Sequence, residues 1–318
     1  MADTFIDIAS QAAVIATALD SMSLKALRPK YIFDGVASGK VWNLNAMPRK
    51  GDTIEWPVLA AFSSNTAALD PTSTAINGGG KTTYTRASVA MDAYGDYSVI
   101  DTFEFGSETF IDIVSDVAFS LQDQGANSIN LLARAVIDKN KYANSVSGTL
   151  SSSYHYYGSQ GTASSVGPLK AKDVREIVRD MKADHVSAFD DGFYVAIVHP
   201  TQANQIKAET GNASWGAAVL AGDQSIQQRF TGDIGTFEGA RFIVDTQVSG
   251  GATGTMSAYF MGKEGVGKAI GRDLNVSLKP YLDGPHSNLL TVRWNALIGY
   301  GVIRRQAVRI IECSSTVL

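Results

Sequence analysis

A glycine-rich loop is the clearest candidate for a chemical site in this sequence. Gly262 and Lys268 bound the pattern G-x-x-x-x-G-K directly after a predicted strand, the arrangement of loops that hold nucleotide phosphates. Ala269 stands where such a loop needs a hydroxyl group for magnesium, and the next residues predict a strand instead of a phosphate-binding helix N-terminus. The sequence therefore predicts a glycine-rich turn. A nucleotide-binding α/β enzyme that uses residues 262–268 is the alternative.

The other reactive side chains lack the spacing of a catalytic or metal-binding set. Asp190-Asp191 and Asp283 lie in segments that predict turns. Cys313 is the only cysteine, so an intramolecular disulfide is excluded. The histidines are scattered, without partners at metal-ligand spacing: His155, His185, His199 and His286. We expect no catalytic residue, no cofactor and no metal site.

Composition and charge narrow the class of protein. The 318 residues suit roughly two domains of about 150 residues, and the 18% of charged residues is below the ~25% typical of soluble domains. A formal net charge of −4 predicts no basic surface for nucleic acid. Asp3 and Asp7 stand where a signal peptide carries basic residues, and no segment reaches the ~20 apolar residues that span a bilayer. We expect a soluble, cytoplasmic protein.

Residues 49–101 predict an extended loop that does not fold on its own. Ile54, Trp56 and Val58 alternate with polar positions as in a strand, and a second alternation around Val89 predicts its partner. The connection at residues 60–80 consists of small residues with a single charge. An isolated hairpin is marginally stable, and long connections are usually functional or disordered. We therefore expect another molecule to complete this loop, with a disordered insertion as the alternative.

Residues 107–141 show the strongest helical pattern. Apolar side chains recur at steps of three, four or seven, while Ser107 and Glu108 suit the N-cap and the first turn. Gly125 lowers the helix propensity by about 1 kcal/mol without ending the pattern. Such a helix would be roughly 50 Å long at ~1.5 Å per residue. We predict a spine helix lying across a sheet, with a coiled coil as the alternative.

The second half of the chain predicts an α/β unit followed by strands. A serine-, glycine- and tyrosine-rich linker at residues 145–168 precedes the unit. Helices are predicted at residues 174–181, from Pro200 to about residue 208, and at 215–227; strands are predicted at 193–198, 241–244, 256–261, 274–278, 290–294 and 302–311. The last three strands have no helix of their own, so we expect them to pack against the spine helix.

The order of these segments resembles the major capsid protein of tailed double-stranded-DNA bacteriophages, which has the Hong Kong 97-type capsid fold. Three stretches carry the resemblance: Tyr-Val-Ala-Ile-Val-His-Pro at 194–200, the phrase G-x-I-G-x-x-x-G-x-R within 231–244, and residues 291–305. Within the family, the chain is most similar to the branch typified by the coat protein of the coliphage N4.

The resemblance implies an α+β fold with four parts. These are an N-terminal arm at residues 1–48, an extended β-hairpin loop at 49–101, a peripheral domain at 102–168 and 266–318, and an α/β axial domain at 169–265. The spine helix, at about residues 107–141, belongs to the peripheral domain. The tip of the axial domain would line the five-fold and six-fold axes of a shell.

The resemblance also implies a structural function, self-assembly into the icosahedral head shell around the phage genome. The implied partners are copies of the same chain, in hexamers and pentamers, with scaffolding, portal and decoration proteins as separate candidates. The packaged DNA would be enclosed without sequence-specific binding, and no membrane is involved. The implied location is the virion, after assembly in the host cytoplasm. A bacterial compartment shell of the same fold is a further alternative.

Overall fold

The fold is built from two β-sheets, a two-stranded hairpin and one long helix. The computed structural model describes residues 32–43, 47–59, 83–101, 113–143, 154–155, 167–209, 235–250, 254–280 and 289–314. In these ranges the helices are α1 (Phe33–Val36), α2 (Ile113–Ala143), α3 (Ala171–Ala183) and α4 (Pro200–Ala208), with a 3₁₀ turn at Arg305–Ala307. None of these helices combines the length and apolarity needed to cross a bilayer.

Twelve strands lie in the described ranges. They are β1 (Ser38–Val41), β2 (Thr53–Leu59), β3 (Tyr84–Ala90), β4 (Asp92–Asp101), β5 (Tyr154–His155), β6 (Tyr194–Val198), β7 (Thr236–Phe237), β8 (Ala240–Val244), β9 (Thr255–Met261), β10 (Val266–Pro280), β11 (Leu289–Val302) and β12 (Val308–Ser314). One sheet has the strand order β1-β10-β11-β4, and the other has the order β5-β12-β9-β6-β8-β7. Among the described strands, β2 and β3 pair only with each other, from Thr53 opposite Ala90 to Leu59 opposite Tyr84.

The long helix α2 packs on both sheets. Leu121 and Ile129 lie in the core with the β11 side chains of the four-stranded sheet, among them Trp294. Further along the helix, Ala133 and Ile137 lie in a second core with strands of the six-stranded sheet. Each fully buried Leu or Ile contributes about 1.5–3 kcal/mol. The predicted spine helix across a sheet is therefore confirmed over Ile113–Ala143, and its apolar side chains join the two sheets. Its predicted start at residues 107–112 lies outside the described residues.

The six-stranded sheet is covered on both faces. One face packs against α1 and α2, and the other packs against α3 and α4 through side chains such as Val174, Ile177 and Ile206. Strand β6 is buried at all five positions, which explains its continuous apolar sequence. Pro200 occupies the first turn of α4, as predicted, since its missing N–H has no intrahelical partner there.

One predicted strand differs from the structure, and one predicted helix lies outside the described residues. The single strand expected at residues 302–311 is wrong, because β11 ends at Val302 and β12 begins at Val308 after a 3₁₀ turn. The turn lets the chain leave the four-stranded sheet and enter the six-stranded sheet. The sequence 304–307 does contain polar residues, but an apolar run on each side concealed the break. The helix predicted at residues 215–227 and most of the predicted linker lie outside the described residues.

Strand pairing crosses the limits that the resemblance implies for the four parts. Strand β1, within residues 1–48, and β4, within residues 49–101, both belong to the four-stranded sheet with β10 and β11. Strand β12 pairs with β9 in the six-stranded sheet, although the implied limits assign residues 266–318 to the other domain. Sheet membership depends on contacts between distant segments, which periodicity does not reveal.

At Gly125, α2 lies close against the four-stranded sheet. A Cβ at this position would lie 2.7 Å from Cδ1 of Leu274 and 3.1 Å from the Trp294 ring. We predict that Gly125→Val lowers the free energy of unfolding by about 1–3 kcal/mol, because overpacking separates helix and sheet. Urea unfolding measures this. Gln122→Val, on the exposed side of the same helix, is the control and should cost less than about 1 kcal/mol. Equal losses in the two variants would contradict the close approach.

Candidate functional site: the projecting hairpin and its base

The segment at residues 262–265 is a turn in which the N–H groups of Gly262, Lys263 and Gly265 are already used. The N–H of Gly262 donates to Ala307 O at 2.8 Å, that of Lys263 donates to Ser187 O at 2.9 Å, and that of Gly265 donates back to Gly262 O at 3.3 Å. A phosphate loop instead directs free N–H groups at its ligand. Strand β10 follows directly, so the predicted glycine-rich turn followed by a strand is confirmed.

Lys268 is held in an ion pair inside the protein. Its Nζ lies 2.8 Å from an oxygen of Asp34, and the hydroxyl of Tyr300 donates to the same carboxylate. Burial, and then the hydrogen bond to Asp34, raise the pKa of Tyr300 well above its usual range. The lysine that a nucleotide site would need therefore connects β10 and β11 to α1.

The described histidines have structural surroundings. Nδ1 of His199 accepts from the N–H of Thr201 at 3.2 Å and so caps α4, and burial lowers the pKa of this imidazole. His185 is exposed, with a positive φ of 55°, in the turn after α3. The side chain of His155 and all of His286 lie outside the described residues.

The described carboxylates of the predicted turns form ion pairs. Asp190 pairs with Lys263, and Asp191 pairs with Arg241 at 2.7 Å. Asp283 lies outside the described residues. Cys313 is buried, and this burial raises the pKa of its thiol. Within the described ranges, no three His, Cys, Asp or Glu side chains come together as a metal site would require.

The hairpin formed by β2 and β3 presents its outer end to solvent. Tyr84 and Leu59, which are register partners, are 60% and 52% exposed. Arg86 and Glu55 form an exposed ion pair on the hairpin, which is worth little for stability. A two-stranded ribbon with exposed apolar side chains at one end gains little from burial within the subunit. Within the described residues, its outer end is therefore an exposed apolar surface.

The base of the hairpin is anchored on the four-stranded sheet. Ile54, Val89 and Met91 are buried there against Ala269. At the entry to the hairpin, the N–H of Gly51 donates to Met91 O at 2.8 Å, and the N–H of Met91 donates to Asp52 O at 2.9 Å. Strands β3 and β4 are separated only by Met91, so the hairpin continues directly into the sheet.

Sequence reasoning missed one residue that holds the hairpin from the other side. Lys40 of β1 donates from Nζ to the backbone oxygen of Glu55 at 2.7 Å and lies over the Trp56 ring at 5.7 Å. That oxygen therefore points away from β3. Pro57 lies two residues further along β2, so its backbone nitrogen faces the same outer side. Proline has no N–H to donate, but at this position an N–H would not pair with β3, so β2 loses no interstrand hydrogen bond.

A partly buried polar seam between α2 and the segment after β8 was also not predicted. Its members are Asn127, Asn130, Arg134, Asp138, Asp245 and Gln247. The Gln247 side chain contacts both asparagines, accepting from Asn130 Nδ2 at 2.6 Å. One Asp245 oxygen accepts from the Gln247 N–H, and the other has no hydrogen-bond partner among the described residues. The helical members recur at steps of three and four, which is a detectable signal.

Comparisons with known proteins identify the fold. No protein-family model and no curated protein matches the chain. Among solved structures, the chain is similar to the cyanophage Pam1 capsid with a TM-score of 0.66, 16% identity and 99% of each chain covered. It is similar to the capsid of Ralstonia phage GP4 with a TM-score of 0.65 and 14% identity, covering 93% of this chain and 94% of that chain.

A third similarity agrees with these two. The capsid structure of cyanophage P-SCSP1u matches with a TM-score of 0.64 and 13% identity over 95% of each chain. Identities this low establish the fold alone. The predicted fold, a mixed α and β architecture of phage capsid chains, is therefore confirmed, whereas the similarity to the coliphage N4 branch stays a prediction.

The Lys268 ion pair leads to a test of the nucleotide alternative. We predict that Lys268→Met lowers the free energy of unfolding by about 2 kcal/mol, because it leaves the partly buried Asp34 carboxylate without its cation. Lys263→Met, in the same loop but with an exposed partner, should cost less than about 1 kcal/mol. Thermal unfolding with and without magnesium and ATP is the measurement. Stabilisation of the wild type by ATP that Lys268→Met abolishes would contradict this assignment.

The unpaired oxygen of Asp245 leads to a pH-dependent prediction. Burial raises the pKa of this carboxyl, although Arg134 and His199 oppose the shift. A raised folded-state pKa means that the ionised form destabilises the native state above that pKa. We expect Asp245→Asn to raise the melting temperature at pH 7, with the gain shrinking as the pH falls through the raised pKa toward the ordinary carboxyl pKa of the unfolded chain. Asp273→Asn, at an exposed position, is the control. A loss of stability in Asp245→Asn at pH 7 would refute the prediction.

Proposed function

We propose that this chain is the structural subunit of a phage capsid, and that copies of it assemble into an icosahedral shell around double-stranded DNA. The observation that carries the proposal is the hairpin. Its base is fixed on the subunit, and its outer end exposes paired apolar side chains with nothing from the described subunit to cover them. The fold shared over nearly the full length with capsid chains supports the same function.

The partner of the hairpin is a neighbouring copy of the chain. Leu59 and Tyr84 at its outer end gain about 25 cal/mol for each Å² of apolar surface removed from water. A single contact of this size is weak. In a closed shell each contact recurs by symmetry, and many weak contacts act together. This explains how a hairpin that is marginal in one subunit is stabilised in the assembly.

The two sheets then correspond to the two domains of the capsid subunit. We assign the four-stranded sheet and α2 to the peripheral domain, and the six-stranded sheet with α3 and α4 to the axial domain.

The copies form hexamers and pentamers, and scaffolding, portal and decoration proteins are separate partners. The subunit performs no catalysis, and the mild negative charge of the chain keeps the shell from binding DNA tightly. Its location is the virion, after assembly in the host cytoplasm.

Shortening the hairpin tests this function. We predict that replacing residues 59–84 with Asn-Gly, a favoured two-residue hairpin loop closed by the register partners Val58 and Thr85, leaves a folded subunit that does not form closed shells. The reason is that the exposed apolar pair Leu59 and Tyr84 is lost while the hairpin base is kept. Electron microscopy and sedimentation of the purified variant beside the wild type are the measurements. An unfolding transition like that of the wild type verifies the fold. Closed shells of normal size from this variant would overturn the role of the hairpin.

A further inference from the structure

Four glycines lie where the hairpin base crosses the four-stranded sheet, and we call them the glycine seat: Gly267, Gly271, Gly299 and Gly301. Gly267 is the register partner of Gly301, and Ala269 is the register partner of Gly299. No side chain in these two pairs is larger than a methyl group. Ala269 itself is fully buried under the hairpin base. The hairpin therefore rests directly on the backbone of β10 and β11.

The space at the glycine seat is filled by the hairpin and by neighbouring side chains. A Cβ on Gly299 would lie 2.1 Å from the backbone oxygen of Ala90, and a Cβ on Gly301 would lie 2.5 Å from Cγ2 of Val89. A Cβ on Gly271 would meet Sδ of Met91 at 3.0 Å. These contacts come from the last residues of β3 and from the residue that follows it. A side chain at the seat therefore displaces the hairpin base.

The opposite strand of the hairpin is held close to the same seat. A Cβ on Gly267 would lie 2.7 Å from Ile303 and 3.2 Å from the Trp56 ring. Lys40 holds Trp56 and Glu55 from β1, as described above. An ion pair between Lys50 and Asp92, at 3.1 Å, spans the point where the hairpin leaves the sheet. Both strands are thus fixed at the base, and the direction of the hairpin is determined there.

We infer that the glycine seat sets the direction in which the hairpin leaves the subunit, and thereby the curvature of the shell; the second part rests on the proposed function. From Ala90 to Tyr84, β3 extends about 20 Å at ~3.3 Å per residue. A displacement of about 1 Å at the base is therefore enlarged along the hairpin. Because the outer end meets a neighbouring copy, a change of direction changes the angle between adjacent subunits.

The direct test measures hairpin direction in free subunits. Spin labels are attached at Thr85→Cys on the hairpin and at Lys172→Cys on the exposed face of α3, and the distance between them is measured by double electron–electron resonance. Cys313 is buried and stays unlabelled. We expect one narrow distance in the otherwise wild-type chain. In Gly301→Ala we expect the mean distance to shift by several ångströms or the distribution to broaden.

A double variant in which the clash is removed, called the relief variant, distinguishes a steric effect from loss of the fold. Val89→Ala removes the Cγ2 atom that the new Cβ would meet, so Gly301→Ala with Val89→Ala should regain the narrow wild-type distance. Gly39→Ala, on β1 of the same sheet, is the matched control because its Cβ would have an ordinary contact of 3.4 Å with Ile270. An unchanged distance in Gly301→Ala, or no recovery in the relief variant, would overturn the inference.

The assembled particles test the second part of the inference, the link between hairpin direction and shell curvature. Electron microscopy should show shells of altered diameter or incomplete closure in Gly301→Ala, and normal shells in Gly39→Ala and in the relief variant. Normal shells in Gly301→Ala despite an altered distance would refute the link to curvature. If the wild type forms no shells, the proposed function fails, whereas the distance measurement on free subunits still decides the role of the glycine seat.

Discussion

The packing of α2 across both sheets is the constraint on which the rest of the structure depends. The helix buries Leu121 and Ile129 on the four-stranded sheet and Ala133 and Ile137 on the six-stranded sheet. Without it, the inner face of β10 and β11 would be exposed. Helix α1 and the Lys268 ion pair add polar contacts at the junction. The two sheets thus act as one support for the hairpin.

The hairpin depends on that support in a particular way. Its base is buried and hydrogen-bonded, whereas its outer end exposes apolar side chains. Burial at the base orients the hairpin. At the outer end, apolar surface is still in water, and a further contact that removes it from water would be favourable. The proposed contact with a neighbouring copy rests on this division of one hairpin into a buried and an exposed half. The polar seam serves a different purpose, since its hydrogen bonds fix the position of α2 along the six-stranded sheet.

Sequence patterns predicted the elements whose burial is periodic. The buried run of β6 and the alternation around Ile54 and Val89 were readable from the sequence. In α2 the predicted stripe is buried at Leu121, but beyond Gly125 it is wrong by one position. The buried residues there are Ile129, Ala133 and Ile137, and each follows a half-buried residue of the predicted stripe. The structure also explains Gly125, which the sequence showed only as a weak point of the helix. The glycine seat, Lys40 and the polar seam were not predicted, because each depends on strands or helices that meet from distant parts of the chain. The switch of β12 to the six-stranded sheet was missed for the same reason.

The central claim is that the working unit consists of many copies of the chain joined through the hairpin. Cryo-electron microscopy of particles formed by the purified wild-type chain tests it most directly. The account predicts closed icosahedral shells in which the outer end of the hairpin, around Leu59 and Tyr84, contacts a neighbouring copy. Particles in which this end contacts only its own subunit, or a chain that stays monomeric at assembly concentrations, would contradict it.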